Sequence, residues 1–231
     1  MSDAEVSEDV IATDGRVIGE RAIRTRRRIL DATSALLREQ GALDLKVIDV
    51  AREVGTSPAT FYQYFGDVEE AILALATELV EGVEPISALL EQDWSTDGSG
   101  GSDGPDGTGE TGLEKSRRFV ADYMDFWDVH APVLRIMLLR ADERDEPFRE
   151  LRREYNRPFM VHMAAKVRDA QAAGRITPSL DAEATAGAML AALDRLPNYR
   201  EMFEKRGTTR DAMIETMARL LLSSLTGEPL D

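Results

Sequence analysis

The chain has 231 residues, of which 43% are hydrophobic, so it can bury a sizeable core and is not disordered throughout. It contains no cysteine, which excludes disulfides, thiolate metal sites and a cysteine nucleophile. No apolar run approaches the roughly 20 residues that span a bilayer, and the acidic N-terminus is unlike a secretory signal, so we expect a cytoplasmic protein with no membrane partner.

The net charge of −15 is distributed unevenly along the chain. Residues 1–15 carry five acidic and no basic residues, whereas residues 16–66 carry nine Lys or Arg against six Asp or Glu. Residues 67–231 carry 19 basic against 32 acidic residues. A basic segment in an acidic chain is compatible with a nucleic-acid partner, because local charge is what meets the phosphates.

The first elements in chain order are an arm and two helices. Residues 1–20 lack periodicity and predict a flexible arm. Apolar residues then recur at helical spacing from Ile29 to Leu37, and Gly41 suits the left-handed geometry after a helix end. A short second helix fits Val47 to Val54.

Capping residues mark the next two helices. Ser57 caps a third helix with Pro58 at its first position, and we expect this helix to run to about Tyr64. Asp67 caps a long fourth helix, which Pro85 ends or kinks.

The remainder of the chain is a glycine-rich loop followed by further helices. Residues 93–112 predict a flexible loop, since seven of the fifteen residues from 98 to 112 are glycine. Helical periodicity resumes at Leu113 and continues to about Leu225, with interruptions near Pro132, Pro147, residues 174–178, Pro197 and Gly207. We therefore predict an all-α protein of about nine helices: an arm over 1–20, a three-helix helix-turn-helix head over 21–66, and a larger helical body over 67–231.

Three residues in the head have the properties that a helix-turn-helix requires. Ala51 is small enough for two helices to cross closely, Gly55 permits the positive φ of the turn, and Phe61 packs back under the second helix. On these residues alone, an αα-corner in an unrelated helical protein remains an alternative.

The stretch VAREVGTSPATFYQYF, from Val50 to Phe65, followed by Glu69 and Glu70, resembles the DNA-binding domain of the tetracycline-repressor (TetR) family. The Arg-rich helix before it is similar as well, so the resemblance covers about residues 22–75. It implies a dimeric transcriptional regulator that binds double-stranded DNA with its head and a small-molecule effector with its body.

Three positions depart from the family's usual pattern. Lys46 stands where a Thr usually caps the second helix, Val68 where a Lys usually opens the fourth, and Thr56 replaces an apolar residue. Lys46 still offers a cation to phosphate, whereas Val68 offers only its backbone N–H at the helix N-terminus.

If the third helix enters the major groove, Thr60 and Gln63 are the foremost base readers. By resemblance Tyr62 and Tyr64 place hydroxyls on phosphates, although Tyr64 equally suits a core position. The Arg24–Arg28 cluster is suited to bind phosphate, to enter the minor groove, or to remain a solvated basic arm. The predicted DNA-contacting residues are Arg27, Lys46, Ser57, Pro58, Ala59, Thr60, Tyr62, Gln63 and Tyr64.

An aromatic and methionine stripe follows the glycine-rich loop. Aromatic and methionine side chains at helical spacing commonly belong to the hydrophobic core. In this chain they are also the side chains best suited to line an apolar pocket for a hydrophobic or amphipathic effector. The predicted effector-binding residues are Phe119, Tyr123, Phe126, Trp127, Met137, Tyr155, Phe159 and Met163. Candidate polar handles are Tyr123, Arg135, Asn156 and His162.

The last helices predict self-association into a homodimer. Residues 184–193 are rich in small side chains that permit close helix approach, and the final helix has a broad apolar face. The predicted interface residues are Met189, Leu193, Met213, Met217, Leu220 and Leu221. Burial of this face inside the chain is the alternative.

Other functional classes have less support. The chain has two histidines, no metal-spaced cluster and no glycine-rich phosphate loop, so we expect no enzyme, no metal and no cofactor. A small-molecule-binding or scaffold protein whose head no longer binds DNA remains an alternative, because Val68 and the acidity both disfavour DNA.

Overall fold

The computed structural model describes residues 19–40, 45–95 and 110–230. These residues contain helices and connecting turns and no strand, which confirms the predicted all-α fold. None of the helices in these ranges is long and apolar enough to cross a membrane. The predicted arm up to residue 18, Gly41 and residues 96–109 of the predicted loop lie outside the described residues.

The helices begin and end close to the predicted signals. They are α1 (Glu20–Gln40), α2 (Val47–Val54), α3 (Pro58–Phe61), α4 (Val68–Glu81), α5 (Glu84–Ser87), α6 (Gly112–Asp142), α7 (Glu146–Ala172), α8 (Ala182–Asn198), α9 (Arg200–Glu204) and α10 (Arg210–Thr226), with a 3₁₀ turn over Ala88–Leu90.

The chain forms two compact units. The first contains the described residues up to Leu79 together with Pro132–Arg149, and the second contains Val80–Ala131 and the described residues from Glu150 onwards. Helices α4 and α6 thus contribute residues to both units. The predicted domain boundary after residue 66 stays a prediction.

Three of the four predicted proline interruptions lie at a helix end. Pro85 lies in the first turn of α5 and Pro147 in that of α7, where the missing N–H costs little. The interruption near Pro197 is confirmed, because α8 ends one residue later, at Asn198. The interruption near Pro132 is wrong, because α6 continues through it and the buried neighbour Leu134 offsets the lost hydrogen bond.

The third helix is shorter than predicted and does not reach Tyr64. Helix α3 ends at Phe61, and the chain continues through tighter turns in which Tyr64 N donates to Phe61 O at 2.9 Å. The cause lies just beyond, where Gly66 N donates to Glu70 Oε2 at 2.5 Å and so starts the cap of α4.

The turn between α2 and α3 depends on the backbone of Gly55. Its φ of 71° lies in the left-handed region, and a Cβ atom added there would meet nothing within 4 Å. In this conformation Gly55 N donates to Arg52 O at 3.0 Å and Thr56 N donates to Ala51 O at 2.8 Å, which closes α2. Backbone strain, not crowding, therefore restricts this position to glycine.

We expect Gly55→Ala to lower the free energy of unfolding by about 1–2 kcal/mol, because a side chain disfavours the left-handed region. Urea denaturation followed by circular dichroism measures the loss. Glu53→Ala, at an exposed position of α2, is the control and should change stability by less than about 0.5 kcal/mol. Equal stability of Gly55→Ala and the wild type would contradict the role given to this φ.

Candidate functional site

The start of α3 is fixed by its own cap. Ser57 has an extended backbone, its hydroxyl accepts a hydrogen bond from Thr60 N at 3.2 Å, and Pro58 occupies the first turn. The Ser57 and Thr60 hydroxyls also lie 3.1 Å apart. The two side chains therefore hold each other at the leading end of the helix.

A small apolar core lies beneath the turn, as predicted. Val50, Ala51 and Phe61 are buried, and Phe61 stacks at 5.8 Å between ring centroids on Phe65, which is also buried. Because Phe61 is drawn under α2, the opposite face of α3 is turned away from this core.

That outward face presents most of the predicted base and phosphate contacts. Ser57, Pro58, Ala59, Tyr62 and Gln63 are exposed, and Thr60 is partly exposed. Tyr62 has 53% of its surface exposed, although its ring lies edge-on to Phe61 at 6.0 Å between ring centroids. Tyr64 is half-buried, so both the phosphate and the core interpretations of it remain open.

Two of the three positions that depart from the family pattern, Lys46 and Val68, lie at helix starts. Lys46 precedes α2 with an extended backbone and an exposed side chain that makes no cap hydrogen bond. At the start of α4, Glu70 N donates to Asp67 Oδ1 at 2.8 Å, and the Glu70 carboxylate accepts a hydrogen bond from Gly66 N at 2.5 Å. This capping box places two carboxylates beside the Val68 N–H, and they oppose an approaching phosphate.

The arginines of α1 are largely engaged within the first unit. Arg27 binds Asp31 at 2.7 Å and Glu78 at 2.6 Å, and its hydrogen bond with Asp31 is the main cause that raises the pKa of its guanidinium. Arg28 donates to Val54 O at 2.5 Å. Arg27 is predicted to contact DNA, and its charge is already compensated by two carboxylates in the free protein.

In the second unit the predicted effector-binding residues pack on one another. Phe119, Tyr123 and Phe159 have ring centroids 5.5–6.2 Å apart, and Tyr155 lies 5.7 Å from Phe159. These four, Trp127 and Met163 are all at most 1% exposed, so we name them the aromatic core. Phe126 is half-buried and stacks instead on His130, and Met137 is buried within the first unit.

A polar cluster lies within the aromatic core. The Tyr123 and Tyr155 hydroxyls are 2.8 Å apart, and the Tyr123 hydroxyl also donates to Asp194 Oδ1. Burial raises the pKa of both tyrosines, so both hydroxyls stay protonated. Burial also raises the pKa of Asp194, and the hydrogen bond from Tyr123 opposes that shift.

Asp194 is the residue that the sequence analysis missed. It follows buried Leu193 on α8, and no Lys or Arg among the described residues forms an ion pair with it. Trp127 Nε1 is buried in the same core beside Asp194 and Tyr155, and its interaction with each of them opposes the rise in that group's pKa. The available signal was an acid placed directly after the apolar run from Ala188 to Leu193 of this helix.

The predicted polar handles have different environments. Tyr123 belongs to the aromatic core, Arg135 is exposed, and Asn156 Oδ1 is buried with no partner in the described part of the chain. His162 lies 3.5 Å from Glu91, beside a cavity of the second unit. Within residues 19–40, 45–95 and 110–230, no group of three or more side chains is placed to hold a metal ion.

The predicted dimer residues lie on two faces of their helices. Leu193, Met213, Met217 and Leu221 are buried within the chain, where α8 packs against α10, so the alternative of internal burial holds for them. Leu220 is 43% exposed, and Met189 is half-buried. The faces of α8 and α10 that remain exposed carry small and polar residues, namely Ala184, Ala188, Ala191, Ala212 and Thr216.

A helix-turn-helix with an exposed third helix, attached to a helical body, defines a bacterial regulatory protein of the helix-turn-helix class. Two family profiles match the chain: "Bacterial regulatory proteins, tetR family" over residues 29–75, and "Tetracyclin repressor-like, C-terminal domain" over residues 102–230. The second match alone covers more than half of the sequence. The chain belongs to the TetR family, which confirms the resemblance.

Curated relatives match about a third of the chain. The HTH-type transcriptional regulator BetI of Brucella suis is 38% identical over 76 residues, which are 32% of this chain and 38% of that protein. HbdR of an Aromatoleum species is 32% identical over 84 residues, 36% of this chain and 34% of that protein. The chain thus matches little more than a third of the length of these relatives.

Solved structures match most of the chain. The fatty acid degradation regulator FadR from Bacillus halodurans has a TM-score of 0.61 at 17% identity, covering 90% of this chain and 97% of its own. FadR from Bacillus subtilis, solved with stearoyl-CoA, has a TM-score of 0.59 at 15% identity, covering 88% and 99%. At these identities the likeness establishes the fold.

We expect Asp194→Asn to gain stability relative to the wild type as pH rises above about 4, the pKa of an unfolded aspartate. Because the pKa of Asp194 is raised in the folded protein, protonation of Asp194 stabilises the fold of the wild type at pH below the unfolded pKa. This stabilisation is lost as pH rises through the folded pKa. The difference should grow by about 1.4 kcal/mol for each unit by which the folded pKa exceeds the unfolded one, then level off. Urea denaturation between pH 4 and 8 measures it. A difference between the two proteins that does not change with pH would show that Asp194 titrates as it does in the unfolded chain.

Proposed function

We propose that this protein is a dimeric, ligand-responsive repressor that binds a palindromic operator through α3. The observation that carries the proposal is the turn at Gly55, which buries Phe61 and leaves Thr60 and Gln63 on an outward face. A short helix presented in this way fits the major groove, where hydroxyl and amide side chains read base edges. Repression then follows from occupancy of the operator.

The phosphate contacts in this proposal come from a few groups. The exposed side chains of Tyr62 and Lys46 can each contact a phosphate. Arg27 can do so only if it leaves the carboxylates of Asp31 and Glu78. The carboxylates of the α4 cap reduce affinity at that helix start. We therefore expect specific binding to rest more on base contacts than the family pattern implies.

Dimerisation uses the exposed faces of α8 and α10. Small side chains at Ala184, Ala188 and Ala191 permit close approach of a second copy, and Leu220 supplies an exposed apolar contact. A two-fold pair of heads matches two half-sites about one helical turn apart, roughly 34–36 Å.

The effector in this proposal is a hydrophobic or amphipathic small molecule bound by the aromatic core. Its apolar part would displace packed rings, and its polar end would meet Asp194, Tyr123 and the Trp127 N–H. The stearoyl-CoA bound by FadR from Bacillus subtilis is a ligand with such an apolar part. Release from DNA requires that the effector bind the non-operator state more tightly.

We expect Thr60→Ala and Gln63→Ala each to weaken operator binding by roughly 5-fold to 100-fold while leaving binding to random duplex unchanged, because base contacts contribute specificity. The operator is first selected from DNA upstream of the gene or from random duplexes, and fluorescence anisotropy then gives the affinities. Thr77→Ala, an exposed threonine of α4, is the matched control and should bind like the wild type.

Absence of any selective complex at low salt, with a folded dimer, would favour a different function. The capping carboxylates and the compensated Arg27 would then mark a head that no longer binds DNA, in a helical small-molecule-binding protein.

We expect Leu220→Arg to dissociate the proposed dimer into monomers of 25.6 kDa. The substitution removes the apolar contact and places two arginines, related by the two-fold axis, close enough to repel each other. Light scattering after size exclusion measures the mass. Leu180→Arg is the control, since Leu180 is 49% exposed in the turn before α8. A dimeric Leu220→Arg protein would exclude this interface.

A further inference from the structure

A cavity of about 480 Å³ lies in the second unit beside the aromatic core, because its lining residue Trp94 packs on Phe119 at 5.8 Å between ring centroids. One wall is a face of α7 formed by His162, Ala165, Lys166 and Asp169, which recur at helical spacing. The opposite wall is the segment Leu90–Ser95, and Arg175 and Thr226 complete the lining.

Lys166 has an unusual environment for an ammonium group. Its Nζ donates to Gln92 O and lies 4.9 Å from the ring centroid of Trp94, but no carboxylate of the described residues lies within 4.0 Å of it. Burial lowers the pKa of Lys166 to about 8, despite the attraction of Asp93 and Asp169. A partly desolvated ammonium without a counter-ion favours an anion.

Most of the other charged groups around the cavity already interact with a neighbouring residue. Asp93 accepts hydrogen bonds from Ser95 N at 2.8 Å and from Ser95 Oγ at 2.7 Å, and Glu91 faces His162. Lys115, which is buried, donates to Asp93 O at 3.0 Å and adds positive charge beside Lys166. Of the acids, Asp169 alone lines the cavity without such a partner.

Arg175 supplies a second cation that is held in place. Its Nε donates to Thr226 O at 2.9 Å, and its terminal nitrogens make no hydrogen bond to a described residue. Gly227, with a φ of 80°, allows the chain to pass so close that an added Cβ would lie 2.7 Å from Arg175 O. The opposite wall is equally fixed, because a Cβ at Gly112 would lie 1.9 Å from Trp94 O.

From these contacts we propose that the cavity is a binding site for the oxyanion group, carboxylate or phosphate, of a small molecule, with Lys166 and Arg175 as its cationic ligands. The site differs from the aromatic core and does not depend on DNA binding. The oxyanion replaces the missing counter-ion of Lys166, and Arg175 binds it through its free terminal nitrogens.

The test is a titration of the full-length, ¹⁵N-labelled protein, without DNA, with sodium phosphate or sodium acetate at constant ionic strength. The indole resonance of Trp94 should shift saturably, whereas that of Trp127, in the aromatic core, should stay in place. Tighter binding of phosphate would identify a doubly charged ligand group, and tighter binding of acetate would identify a carboxylate.

Two variants and a pH series make the test specific. Lys166→Met should weaken binding at least tenfold, whereas Lys166→Arg should stay within about threefold of the wild type, since it keeps the charge. Arg175→Gln, at an exposed position, gives an independent reading should Lys166→Met fail to fold. Affinity should fall as pH rises past about 8, where Lys166 loses its proton.

The proposal is overturned if neither anion shifts Trp94 saturably, if both indole resonances move together, or if Lys166→Met and Arg175→Gln bind like the wild type. None of these outcomes bears on operator binding, so failure here leaves the proposed repressor function unaffected.

Discussion

The left-handed backbone at Gly55 is the constraint on which the arrangement of the head depends. It closes α2, turns the chain through Thr56, and lets Ser57 cap α3 only a few residues later. Since α3 is so short, its direction is set by this turn and by the burial of Phe61, and not by its own helical stability. A rigid turn and one buried ring therefore decide which side chains face outwards, which is what a recognition surface needs.

The electrostatics of the first unit show how an acidic chain can still carry a DNA-binding surface. Three arginines of α1 have carboxylate partners: Arg24 pairs with Glu20, Arg26 with Glu78, and Arg27 with Asp31 and Glu78. The start of α4 is closed by its own carboxylates. Charge-driven, non-selective attraction to DNA is thereby reduced. In the proposed complex selectivity then rests on the outward face of α3. In the second unit, half-buried Asp194 adds a carboxylate at the edge of the aromatic core.

The sequence predicted well whatever depends on local chemistry. The caps at Ser57 and Asp67, the positive φ at Gly55 and the burial of Phe61 follow from residue type and spacing, and the structure confirms each. It failed where tertiary packing decides the outcome. Helix α6 runs through Pro132 because its neighbours are buried, and Met137 belongs to the first unit because α6 contributes to both. The Asp194 cluster and the cavity beside Lys166 join residues far apart in the chain, so no spacing pattern reveals them.

The central claim is that α3 reads DNA as part of a two-fold dimer, and the salt dependence of operator affinity tests it most directly. Affinities for the selected operator and for a random duplex of equal length are measured from about 50 to 200 mM salt, the range over which released counter-ions weaken phosphate contacts. We expect affinity for both duplexes to fall with salt, the operator to stay at least a thousandfold tighter, and two chains to bind each operator. Equal affinity for the two duplexes, or a complex with one chain, would contradict it.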